Sequence, residues 1–177
     1  METLKKRELI EDPETGDVLV PLTKGGVARI DSVDSGWVSE HNWILAVSCG
    51  GYAARGTHYL DSEGCRRSLF LLLHRQVVEH SGAVILAGQE VDHRNGIRLD
   101  CRRSNLRICT REGNMRNRLA RRDKIKGVSR KGNKYQAAIR ANGRQIYLGL
   151  FDTLEEAKAA YNAAALKYHG EFARLNP

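Results

Sequence analysis

The sequence predicts an α+β chain built in two parts, with strand hairpins and short helices over residues 1–118 and a three-stranded antiparallel sheet packed on one helix over 126–177. Three observations carry this reading. Apolar residues alternate at period two on either side of glycine turns, as half-buried strands require. Near the C-terminus the spacing changes to that of a helix, with Leu154, Ala157, Tyr161, Ala164 and Tyr168 on one face. Between the parts, residues 119–125 are polar and basic and interrupt both patterns, marking a boundary that is either a phosphate-tracking linker or a solvated connector.

Taken in order, residues 17–22 and 27–31 alternate around Thr23-Lys24-Gly25-Gly26 and form a hairpin. Residues 35–42 make a short helix with Trp37 inward, and 43–48 and 52–58 form a second hairpin around Cys49-Gly50-Gly51. Residues 66–80 carry Leu69, Phe70, Leu72, Leu73, Val77 and Val78 and read as one helix ending at Ser81-Gly82. A short strand at 90–93, a loop at 94–104, a strand at 105–109 and a helix over 111–118 capped by Thr110 follow. Beyond the basic stretch, three strands at 127–131, 134–140 and 144–150 are joined at Gly132-Asn133 and Asn142-Gly143. Tyr135, Ala137 and Ile139 face the core with Ile146, Leu148 and Leu150. Gln136, Ala138 and Arg140 share the other face with Gln145 and Tyr147. Thr153 and Glu156 supply a capping box for the last helix, which Gly170 ends.

The net charge of +8 is unevenly placed: residues 94–147 hold 17 Lys/Arg against Asp100, Glu112 and Asp123, while the rest of the chain is net acidic. Segregation of that kind points to a phosphate backbone as partner. No apolar run approaches the ~18 residues of a membrane span, and the N-terminus has no apolar leader pattern, so a cytoplasmic protein of a bacterial or phage-infected cell is expected. Cys49, Cys65, Cys101 and Cys109 show no C-x-x-C pair, which argues against structural zinc and a disulfide framework.

The chemistry concentrates in residues 91–114. Asp92 and the Asn114 amide are hard oxygen donors suited to one divalent ion, magnesium or manganese rather than zinc. His93 can take a proton from water near neutral pH. Asn105 can neither titrate nor attack, and an amide there fixes the loop and holds the imidazole in its working orientation. Neighbouring residues on a regular strand point to opposite faces, so Asp92 and His93 can serve one phosphate only where the strand ends, at Asn95-Gly96. Arg94, Arg103, Arg107, Arg118, Arg121 and Arg122 suit a polyanion. His74 and Arg75 are either helix-surface residues or phosphate contacts; His41, His58, His80 and His169 read as ordinary surface or packing histidines.

The segment Val91-Asp92-His93-Arg94-Asn95-Gly96, followed by Leu99-Asp100, Arg103-Ser104-Asn105-Leu106-Arg107, Asn114 and Asn117-Arg118, resembles the HNH endonucleases of the phage and intron homing type. Upstream, Pro21-Leu22-Thr23-Lys24-Gly25, Trp43, Tyr52-Ala53 and Leu73-His74-Arg75 are similar to the N-terminal halves of such enzymes. The resemblance implies a ββα-metal fold over 88–118, Asp92 and Asn114 on the metal, His93 as general base, Asn105 as the middle asparagine, and cleavage to 5′-phosphate and 3′-hydroxyl ends.

Residues 126–176 resemble the apetala/ethylene-response-factor DNA-binding domain through Gly127-Val128, Lys134 to Arg140, Tyr147 to Thr153, Glu156-Ala157 and Ala160-Tyr161. That family lays the outer face of its sheet in the major groove. Here the face carries Ser129, Lys131, Gln145 and Tyr147, with Arg140 as the base-edge reader. Lys131, Lys134 and Arg144 are placed for phosphates. Tyr147 stands where plant members use an outward tryptophan, so the plant sequence preference does not carry over.

The expectation is therefore a double-stranded-DNA endonuclease using one divalent metal, a site-preferring homing enzyme or nickase acting as a monomer, with a dimer as the route to a double-strand break. Its rival is a non-catalytic DNA-binding regulator with a retired site. An RNA-binding protein fits less well, because the few aromatics form no stacking platform.

Overall fold

The computed structural model describes residues 6–23, 25–120 and 124–177, and the chain divides into two compact units, Met1–Ile108 and Cys109–Pro177. The division falls ahead of the basic stretch at 119–125. Arg121 and Arg122 lie outside the described residues, as does Lys24 of the first expected turn.

The first unit holds three small antiparallel assemblies. β1 (Ile10–Glu11), β2 (Val18–Pro21) and β3 (Val27–Ile30) form a meander in which Val18 pairs with Ile30 and Val20 with Ala28. The alternation seen in the sequence is the burial pattern: Val18, Val20, Leu22, Ala28 and Ile30 all lie in the core. Each such aliphatic contributes roughly 1.5–3 kcal/mol relative to exposure. α1 (Ser35–Ser39) is short, buries Val38 and half-buries Trp37, whose indole donates to Asp34 Oδ1 at 2.9 Å. Trp43, nearly inaccessible, donates to the Val38 carbonyl.

β4 (Ile44–Ala46), β5 (Tyr52–Leu60) and β6 (Arg66–Leu72) form the second meander, and α2 (Leu73–His80) follows directly. The single helix expected over 66–80 is therefore wrong in its first half. Residues 69–73 are a continuous apolar run, which periodicity alone cannot assign to strand or helix. The partner decides: β6 pairs with β5 over seven residues, from Leu60↔Arg66 to Ala54↔Leu72. The hairpin is closed by Asp61, whose Oδ1 accepts from the Glu63 and Cys65 amides, and by Gly64 at φ 77°. Only α2 has a helical inner face, with Leu73, Val77 and Val78 buried.

β7 (Gln89–His93) and β8 (Leu106–Thr110) form a two-stranded ladder. The loop between them is tied to β3 through two 2.7 Å backbone bonds, Arg29 N to the Leu99 carbonyl and Cys101 N to the Arg29 carbonyl. Cys101, Val91 and Leu106 complete the core of this unit.

The second unit begins with α3 (Arg111–Asn117), capped by Thr110, whose Oγ1 accepts from Gly113 N at 3.2 Å. β9 (Val128–Lys131), β10 (Lys134–Ala141) and β11 (Arg144–Phe151) form an antiparallel sheet in the order 11-10-9, packed on α4 (Leu154–His169). The capping box of Thr153 and Glu156 is present. Small residues let α4 approach closely, with Ala157 and Ala165 fully buried beside Tyr161 and Ile139. One inward assignment fails: Leu150 is exposed. A register shift opposite Ala137/Ala138, at Gly149 with φ 142°, inserts a bulge that reverses the alternation beyond it, so that Leu150 stands opposite Gln136 on the outer face.

Candidate active site and nucleic-acid face

β7 ends at His93, and the chain turns at once: Gly96, at φ 76°, donates its amide to the His93 carbonyl at 2.8 Å. Asp92 and His93 thus sit at a strand end, the one place where consecutive residues can serve a common ligand. Both are buried. One carboxylate oxygen of Asp92 accepts from Arg107 Nε at 2.9 Å and Nη2 at 2.7 Å, and both members of this pair are about 6% exposed. The guanidinium aims the carboxylate and supplies its counter-charge.

The loop carrying the turn is fixed by Asn105, whose Oδ1 accepts from Asn95 N at 3.0 Å and whose Nδ2 donates to the Asp100 carbonyl at 2.7 Å. Asp100 is held in turn by Asn95 and by both ends of the Arg102 guanidinium. Burial pushes the Asp100 carboxyl up, but these partners outweigh it and hold it below the usual range. Farther along, Arg103 donates through Nε and Nη2 to Asp34, a carboxylate with no exposed surface, each at 2.8 Å. Asp31 accepts from Arg103 N at 2.7 Å. Two acids from the turn before α1 therefore clamp the loop between the strands.

His93 lies in an aromatic nest. The His74 ring is 4.8 Å from it, tilted at 59°, and the Tyr52 ring is 5.8 Å away at 28°; Tyr52 and His74 are themselves 4.8 Å apart. The imidazole also bonds the Arg98 backbone, while the Arg98 guanidinium lies over the Tyr52 ring at 5.4 Å and donates to the Gly50 carbonyl. Burial lowers the His93 pKa to about 4, against the raising effect of Asp92 and Asp100. His74, more deeply buried, is lowered by burial and then by His93 and Arg75 to about 3. Both rings are neutral at pH 7, so His93 keeps a lone pair with which to take a proton.

Residues 71–116 match the family model described as HNH endonuclease. This chain carries an HNH endonuclease domain. Its matched span contains the strand end with Asp92 and His93, the loop-fixing Asn105, and Asn114. Asn114 lies half-buried on α3, in the second unit. Of the arginines that the sequence offered to a polyanion, Arg94 is exposed, whereas Arg103 and Arg107 engage Asp34 and Asp92. Sequence reasoning did not bring Tyr52 and His74 beside His93. Their signal was available only as matched stretches lying far from the metal-ligand motif.

On the second unit, cross-strand pairing sets residues side by side: Arg140 with Gln145, Ala138 with Tyr147, Gln136 with Ser129, and Lys134 with Lys131. Partners across an antiparallel ladder share a face, so these eight side chains make one strip. Arg140, Gln145, Tyr147, Ser129, Lys131 and Lys134 are exposed, and so is Arg144 at the turn. The strip's surface acid is met at Lys134, which pairs with Asp152 at 2.8 Å. No helix among the described residues is long and apolar enough to cross a membrane.

Proposed function

We propose that this protein is an endonuclease that hydrolyses double-stranded DNA with one divalent metal ion, as a site-preferring nickase of the homing type. The observation that carries the reading is the coincidence of the HNH match with a strand end where a buried carboxylate and a buried neutral imidazole follow one another.

Asp92 is the residue of the first unit that would hold the ion, and its carboxylate oxygens suit magnesium or manganese. The Arg107 grip on one oxygen of Asp92 is the outer support that a ligating carboxylate needs. Such an ion, when bound, neutralises charge on the phosphate and steadies the leaving 3′ oxygen. His93 takes the proton from the attacking water, with the Arg98 carbonyl fixing its tautomer. Asn105 acts through the loop. The products are 5′-phosphate and 3′-hydroxyl ends, and a single site in a monomer cuts one strand.

The second unit would bring the duplex to this site as an apetala-like reader. Its strip suits a groove: Arg140 for a base edge, Lys131 and Arg144 for phosphates, Gln145 and Tyr147 between them. Arg94 of the first unit and Arg118 of the second, both exposed, would add phosphate contacts.

The test is nicking of supercoiled plasmid in magnesium, then in manganese, by the wild type beside His93→Ala and Asp92→Asn. Open circles from the wild type alone are expected. Plasmid bound but left intact by all three, over a range of target sequences, refutes the enzymatic reading and leaves a DNA-binding regulator.

A further inference from the structure

We propose that His74 and Tyr52, which belong to neither β7 nor β8, are the positioning residues that set the His93 imidazole for proton transfer. The proposal rests on the reading of His93 as general base, and goes beyond it by moving the orienting task from Asn105 to a pair of rings.

A hydrogen bond from a ring nitrogen to one carbonyl fixes the tautomer and one direction in the ring plane. It does not fix the roll of the plane, because the terminal torsion of histidine has a broad two-fold profile. The Asn105 amide is committed to Asn95 N and the Asp100 carbonyl, so it holds the loop that presents the Arg98 carbonyl. Neighbouring rings packed against the imidazole remove the remaining freedom: Tyr52 nearly parallel at 28° and 5.8 Å, and His74 tilted at 59° and 4.8 Å.

The two rings are themselves firmly mounted. His74 is 5% exposed at the start of α2, flanked by the fully buried Leu73 and by Gln76, which takes a 2.9 Å bond from Arg55 of β5. Tyr52 opens β5 and is covered by Arg98. His74 Nδ1 is buried and has no hydrogen-bond partner among the described residues. The side chain therefore acts through its ring, not through that nitrogen. It follows that phenylalanine, which has a ring and no buried nitrogen to leave unbonded, can replace it, whereas leucine, of similar bulk but without a flat face, cannot.

The experiment compares wild type, His74→Leu and His74→Phe in single-turnover nicking at saturating protein, with DNA affinity measured separately. Misalignment of a reacting group by a fraction of an ångström to 1 Å costs up to about 100-fold, so His74→Leu should cut about 10- to 100-fold more slowly with unchanged affinity. His74→Phe should stay within about threefold and melt no lower than wild type. In a His93→Ala background, His74→Leu should add no further loss. A His74→Leu protein that cuts at the wild-type rate, loses only affinity, or loses rate equally without His93 overturns the proposal. Nuclear Overhauser contacts between the His93 and Tyr52 rings give a reading that needs no cleavage: they should weaken in His74→Leu and persist in His74→Phe. Unchanged contacts in His74→Leu refute the positioning even if the wild type cuts. Failure of the wild type itself to cut counts against the nuclease reading instead.

Discussion

Replacing Arg107 separates a structural guanidinium from a DNA-binding one. Both Arg107 and Asp92 are about 6% exposed, and Nε and Nη2 of the arginine converge on a single carboxylate oxygen. In Arg107→Ala the carboxylate stays in a low-dielectric site with its counter-charge gone. Breaking a buried pair from one side costs about 3–5 kcal/mol, a large part of the total stability of a domain of this size. With a urea dependence of about 2 kcal/mol per molar, the unfolding midpoint of the first unit should fall by about 2 M. The Asp92→Asn, Arg107→Leu double variant should recover much of it, because the two single losses are not additive. Were Arg107 instead a phosphate contact, Arg107→Ala would leave the urea midpoint alone and lower the salt dependence of DNA binding by about one unit on the log–log slope. An unmoved midpoint refutes the structural assignment.

Other outcomes follow from the same geometry. His74 and His93 have folded pKa values of about 3 and about 4, below their ordinary 6.5, so the unfolded chain takes up protons first as pH falls. Stability is complete above pH ~6.5 and is lost between there and about pH 4 for His93 and about pH 3 for His74. At pH 5 the loss is about 2 kcal/mol per histidine, and His74→Phe should roughly halve it; a urea midpoint flat from pH 7 to 5 contradicts this. Gly127 has φ 68°, and a Cβ there would lie 2.1 Å from the Tyr161 ring and 2.5 Å from the Ala138 carbonyl oxygen. Gly127→Ala should cost about 3 kcal/mol or more, seen as a lower melting transition of the second unit; a wild-type melt refutes it. Arg140→Ala should weaken DNA binding by about 1–3 kcal/mol and relax preference at one base position, while Lys131→Ala weakens all sequences alike. Selection from a randomised target library distinguishes them, and unchanged preference in Arg140→Ala removes its role as a reader.

The strand-end placement of Asp92 and His93 was legible because stereochemistry permits no other way for adjacent residues to share a ligand, and Asn95-Gly96 marks the place. The second sheet and its helix were legible from alternation, the Asn142-Gly143 turn and the capping box, all of them local signals. Leu150 was not, because a bulge depends on how two strands meet. The strand at Arg66–Leu72 was missed for a similar reason: its identity is set by β5, and an apolar run contains no period. The ring nest was illegible because Tyr52, His74 and His93 come from three separate elements.

Arginine shows how far charge can be read from sequence alone. The excess of positive charge over residues 94–147 pointed to a phosphate backbone as partner, but the acids that the rest of the chain holds in surplus are not idle. Asp17, Asp34 and Asp92 come from the acidic remainder and meet Arg102, Arg103 and Arg107 inside the first unit. A guanidinium held bidentately by a buried carboxylate has its donors directed inward, whatever the net charge around it. Subtracting these pairs moves the unneutralised charge toward the second unit, where Lys131, Arg140 and Arg144 stand exposed on or beside one strip. The division of labour follows from that subtraction. On the proposed function, arginines near the strand end hold its geometry, and those on the C-terminal sheet would supply the long-range attraction and the base reading. Salt should therefore weaken DNA binding with a slope set mainly by the second unit. Substitutions at Arg102, Arg103 or Arg107 should alter that slope little, while lowering the stability of the first unit.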